Sequence, residues 1–108
     1  MKWYKLFVSE EEAFREMPDQ SLQLVIAGEK KICLVRNGKN LYAIQNICPH
    51  MGASLSEGSV NKLNEVVCPW HHYRFQLTDG QECHLRTKEA ETYPIKVETN
   101  GIFIGIEA

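Results

Sequence analysis

Residues 47 to 58 read Ile47-Cys-Pro-His-Met-Gly-Ala-Ser-Leu-Ser-Glu-Gly58, and residues 68 to 74 read Cys68-Pro-Trp-His-His-Tyr-Arg74. Neither stretch follows the two-residue repeat of a strand or the 3.6-residue repeat of a helix, so both read as loops. Each presents a cysteine and a histidine close together after an apolar run, as Cys48-x-His50 and Cys68-x-x-His71, with residues 51–67 between them. If the loops, about 46–64 and 68–75, lie side by side on the ends of strands, two thiolates and two imidazoles converge. Soft thiolates suit iron–sulfur and zinc sites, while imidazole suits zinc, copper and iron, so the donor types alone leave the metal open.

Outward from these loops the chain is punctuated by Ala27-Gly28, Asn37-Gly38, Asp79-Gly80 and Asn100-Gly101. Asn-Gly and Asp-Gly pairs supply the positive φ that tight hairpins require. Between the turns lie short runs rich in β-branched, aromatic and aliphatic residues: Trp3–Val8, Leu22–Ala27, Lys31–Arg36, Leu41–Asn46, Glu65–Val67, Tyr73–Leu77, Glu91–Glu98 and Ile102–Ile106. Their number and spacing predict an all-β fold, an antiparallel sandwich or barrel. One short helix is expected after Ser9. Its hydroxyl caps the first turn, Glu12 reaches back to the Ser9 amide, Ala13, Phe14 and Met17 share a face, and Pro18 stops it. The acidic run Glu10 to Glu12 is accounted for by its favourable place at a helix N-terminus.

At 108 residues, 44% hydrophobic and 24% charged, the chain is expected to be a single globular domain over 1–108. A formal net charge of −2 with no basic tract argues against nucleic acid as a partner. The N-terminus alternates polar and apolar residues, unlike a signal peptide, and no segment approaches the roughly 20 apolar residues of a membrane span. A cytoplasmic protein with no membrane partner is expected, and its cysteines are then reduced and available to metal.

The paired Cys-x-His and Cys-x-x-His, with Pro49 and Pro69 after the cysteines and Gly52 in the first loop, resemble the signature of the Rieske iron–sulfur family. Gly52 to Gly58, Tyr73-Arg-Phe75, Asp79-Gly80 and Tyr93-Pro94 extend the likeness to small Rieske ferredoxins over essentially the whole chain. The resemblance implies one [2Fe–2S] cluster, with Cys48 and Cys68 on one iron and His50 and His71 on the other. It also implies a Rieske-type sandwich with a cluster-binding subdomain built from the two loops, in which Gly52 and Gly58 permit the turns. The implied role is a one-electron carrier, not itself an enzyme. Its donor would be a flavin-dependent reductase and its acceptor a terminal oxygenase or another redox enzyme.

Two neutral imidazoles in place of two thiolates leave the cluster less anionic, so an added electron costs less Coulomb energy. High-potential relatives join an extra cysteine from each loop as a disulfide, but the positions here are Ala53 and Trp70. They also place a serine where this chain has Tyr73 and a tyrosine where it has Phe75, and those hydroxyls hydrogen-bond cluster and cysteine sulfurs. The missing donors imply a potential toward the lower part of the roughly −150 to +300 mV Rieske range. His72 stands where many relatives have glycine and reads as a solvated loop residue. Cys33 reads as a small buried hydrophobe, a Cys33–Cys83 disulfide is not expected, and His84 reads as a surface residue. Trp70 shields the cluster from water or presents an aromatic edge to a partner, or else simply packs in the core or the loop.

Two other functions compete. A Rieske-like small subunit of a multicomponent enzyme such as nitrite reductase would keep the same cluster. A structural zinc module would use the same donors, although zinc fingers usually pair Cys-x-x-Cys with His-x-x-x-His.

Overall fold

The computed structural model describes residues 1–107, so the last residue of the expected 1–108 domain lies outside the described residues. The chain runs through β1 (Lys2–Phe7), α1 (Glu10–Glu16), β2 (Ser21–Ala27), β3 (Lys30–Asn37), β4 (Asn40–Gln45), a 3-10 turn (Leu55–Glu57), β5 (Ser59–Val60), β6 (Glu65–Val67), β7 (Arg74–Gln76), β8 (Thr92–Tyr93), β9 (Ile95–Glu98) and β10 (Gly101–Ile106). Antiparallel pairing gathers the strands into three sheets, in the orders β1-β10-β9, β2-β3-β4-β8 and β5-β6-β7. The all-β architecture is the one expected from the strand and turn pattern.

The sheet β2-β3-β4-β8 is the wall on which everything else is built, and β3 shows why. Ile32, Cys33, Leu34 and Val35 are all fully buried, because successive side chains enter opposite cores. Ile32 and Leu34 join Phe7, Met17, Ile102 and Ile104 in a basal core beneath β1, β10 and α1. Cys33 and Val35 join Leu55, Val66, Phe75 and the two loop cysteines in a second core. Strand β4 divides in the same way, with Ala43 facing the basal core and Ile44 the second. The donor-bearing loops therefore rest on apolar packing whose other face is also filled.

Ser9 Oγ accepts the Glu12 amide at 3.1 Å, as a helix cap should. The Glu12 carboxylate, however, takes the Val8 amide at 3.0 Å instead of the expected Ser9 amide. A second difference lies at Glu91–Glu98, expected as one strand. Pro94 has no amide to donate to a ladder. The chain breaks there, so that β8 pairs with β4 while β9 pairs with β10. Strand β5, inside the first predicted loop, is too short to stand out from the sequence.

The two loops meet where the first returns to the third sheet. Gly58 follows the 3-10 turn and Val67 precedes Cys68, and a Cβ on Gly58 would stand 1.9 Å from the Val67 carbonyl oxygen. Only glycine admits this approach. Because the obstructing atom is backbone, Gly58→Ala is expected to destabilise the protein by about 1–3 kcal/mol in urea unfolding. It should also lower the yield of metal-loaded protein by separating the loops.

Candidate metal centre

Each loop is closed on itself by the amide of its cysteine. Cys48 N–H donates to the Ala53 carbonyl at 2.8 Å, and Cys68 N–H donates to the Tyr73 carbonyl at 2.7 Å. The first loop is further pinned by buried Asn46, whose Oδ1 accepts the Ser56 amide at 3.0 Å and whose carbonyl accepts the Leu55 amide at 2.7 Å. Asn46 thus acts as a surrogate backbone for a turn that has no ladder of its own.

This closure brings the sequence-predicted donors together as two pairs. The Cys48 and Cys68 side chains are both buried in one core cluster. Burial pushes the Cys68 thiol up to about 11, against the pull of the Trp70 backbone amide and with the neighbouring Cys48 adding to the rise. A metal held here would take the thiol in its deprotonated form and would supply the positive charge that a buried thiolate needs. The rings of His50 and His71 stand 5.4 Å apart in a T-shaped arrangement. His71 is exposed, whereas His50 Nδ1 is buried without a hydrogen-bond partner. An orphaned buried ring nitrogen is a free donor position.

The remaining candidates fall outside this constellation. Cys33 lies within β3, its thiol pushed up to about 12 by burial, which makes it an inert core residue. All four cysteines are free, and Cys83 offers its thiol to Glu82 Oε2 at 3.3 Å. His84 and His72 are exposed. His72 has φ 56° directly after His71 at φ 62°, so two consecutive non-glycine residues adopt the left-handed conformation. A glycine at position 72 would meet that backbone demand without strain. Trp70 is 52% exposed, which rules out core packing as its role.

Among the described residues, no three histidine, cysteine or carboxylate side chains converge on one point fit for a single metal ion. Two thiols on two loops, each loop also carrying an imidazole, is a donor chemistry that a two-iron cluster takes. A family model described as the Rieske [2Fe-2S] domain matches residues 2–96. The chain belongs to the Rieske [2Fe–2S] domain family, and with that membership comes one Rieske-type [2Fe–2S] cluster.

The chain is similar to the ferredoxin component of the naphthalene 1,2-dioxygenase/salicylate 5-hydroxylase systems of Ralstonia sp., with 31% identity over 85% of this chain and 88% of that one. It is also similar to the ferredoxin component of the alkene monooxygenase system of Xanthobacter autotrophicus, with 28% identity over 88% of this chain and 78% of that one. Against the 3-phenylpropionate/cinnamic acid dioxygenase ferredoxin subunit of Shigella flexneri it is 40% identical over 69% of this chain and 72% of that one. The solved ferredoxin of carbazole 1,9a-dioxygenase from Nocardioides aromaticivorans has the same fold, with TM-score 0.84, 21% identity, and 99% of this chain and 100% of that chain covered. No helix among the described residues is long and apolar enough to cross a membrane.

One group that sequence reasoning missed lies beside the histidines. Buried Glu82 accepts Arg86 Nη2 at 2.7 Å, Arg86 Nε at 3.1 Å and the Arg86 amide at 2.7 Å. The Arg86 side-chain hydrogen bonds hold the Glu82 carboxyl down at about 2, overcoming its desolvation. Glu82 and Arg86 are four apart, but outside any helix that spacing carries no signal. A depressed folded-state value means that this stabilisation is present above the ordinary carboxylate range and is lost as pH falls toward 2. Glu82→Gln is therefore expected to cost about 2 kcal/mol at pH 7, a figure discounted for the solvent around Arg86. In urea titrations the gap between the two proteins should shrink steadily from pH 5 to pH 3.

Proposed function

We propose that this chain is a one-electron carrier that takes electrons from a flavin-dependent reductase in the cytoplasm and delivers them to a terminal oxygenase. It holds its [2Fe–2S] cluster through Cys48 and Cys68 on one iron and His50 and His71 on the other. The observation that carries this reading is the split donor set: a buried thiol pair from two loops beside an imidazole pair with one exposed ring. The named roles of the similar proteins, ferredoxin components of oxygenase systems, support the choice of acceptor.

Bound there, the cluster would supply one-electron redox chemistry. The chain's own residues determine how readily it does so. Buried Cys48 and Cys68 keep water from the inner side, while the exposed His71 ring gives a partner a short route to the metal. Neutral imidazoles reduce the negative charge against which an electron is added. Phe75 is fully buried and carries no hydroxyl, and Ala53 and Trp70 form no disulfide, so few donors stabilise the reduced state. The potential accordingly belongs to the lower part of the roughly −150 to +300 mV Rieske range.

His71→Ala is expected to abolish the reddish-brown colour and the paramagnetic resonance of the reduced protein, and His72→Ala to preserve both. The reverse pattern overturns the assignment of His71. In a redox titration, a midpoint near the top of the range would refute the argument from missing donors. Stopped-flow mixing of the reduced protein with a purified terminal oxygenase should reoxidise it at a rate that rises with oxygenase concentration. No reoxidation by any such oxygenase would sink the proposed role.

A further inference from the structure

His50 is one end of a ladder of flat groups. Its imidazole stacks on the Tyr73 ring with centroids 3.7 Å apart and planes 14° from parallel. The Arg86 guanidinium carbon also lies 3.7 Å from the Tyr73 centroid. On one face the two groups would occupy the same space, so they flank the tyrosine on opposite faces. Arg86 is held in turn by Glu82, whose side chain is fully buried while that of Arg86 is 42% exposed. A planar guanidinium gripped through two of its nitrogens loses the rotational freedom that would let it leave the ring.

Resting on the assignment of His50 as an iron ligand, we infer that Arg86 is a positioning residue that clamps Tyr73 against His50 and sets the electron affinity of the cluster. Two effects are joined in it. The stack fixes the plane of an imidazole whose Nδ1 is the position left free for the metal, in the way outer groups commonly orient a ligating histidine. Arg86 also places a positive charge two stacking distances from the His50 ring, through an aromatic body that excludes water. A cation there favours the reduced, more negative state of the cluster, and Glu82 moderates it by partly neutralising that cation. The pair therefore acts as a graded electrostatic setting and not merely as packing, and the signs of its two members are opposite.

Those signs define the test. Arg86→Gln, Glu82→Gln and Arg86→Lys are made in the full chain, loaded with cluster, and titrated for midpoint potential beside the reduced-state paramagnetic resonance spectrum. Arg86→Gln is expected to weaken electron affinity about threefold, or ~28 mV at 59 mV per tenfold change. Glu82→Gln should strengthen it, and Arg86→Lys, which keeps the charge, should restore most of the loss. Shifts of the same sign, or midpoints unchanged in cluster-loaded variants, would reduce the ladder to a structural role. If Arg86→Gln fails to fold, Glu82→Gln decides by itself, because it leaves Arg86 a hydrogen-bond acceptor and its midpoint must rise. A His50→Ala variant that retains the native cluster spectrum would instead defeat the ligand assignment beneath the inference.

Discussion

The site depends on two backbone hydrogen bonds, Cys48 N–H to Ala53 and Cys68 N–H to Tyr73. Each folds a short loop so that its cysteine turns inward while its histidine remains at the outer end. Buried thiols, with the His71 ring left exposed and His50 half-buried, then accompany one geometric device used twice. Without it the donors would belong to two independent loops, and the entropy of bringing them together would fall on metal binding. With it, the desolvation that raises the Cys68 thiol becomes a preference for a strongly positive partner at that point.

These loops hold their shape because the sheet below them is filled on both faces. Ile32 and Leu34 anchor β3 to the basal core, and Cys33 and Val35 anchor it to the core that contains the two loop cysteines. Each fully buried aliphatic side chain stabilises the fold by about 1.5–3 kcal/mol. The donors are thus attached to a sheet packed on both faces, and strain such as the left-handed His71 and His72 is tolerated at its edge. A rigid donor set suits a carrier whose task is to change charge without changing shape.

Charge at the outer end is arranged on a similar economy. Glu65, buried in β6, accepts from Asn61 Nδ2 at 2.9 Å and Gln76 Nε2 at 3.3 Å and lies 3.5 Å from Arg74 Nη1. Glu82 is satisfied by Arg86. Both buried carboxylates in the donor-bearing half therefore have partners, as the cost of an unpaired charge requires. The difference between them is that the Glu82 pair continues through Tyr73 to a histidine.

Much of this was legible in the residues themselves. Glycine turns and alternating apolar runs specify antiparallel strands because backbone sterics and side-chain period act locally. The four donors stood out because cysteine and histidine at such spacing have few other uses. Less legible were the break at Pro94, the Val8 amide taken by Glu12, and strand β5, each decided by which neighbour offered a partner. The sequence alone determined the strand pattern, the family likeness and the donor types. Only the tertiary structure decided that Gly58 must abut Val67, that Asn46 pins the first loop, and that Glu82, Arg86 and Tyr73 line up behind His50. The reason is physical: propensity and periodicity act between near neighbours, whereas stacking and ion pairing between separate loops depend on where packing brings them.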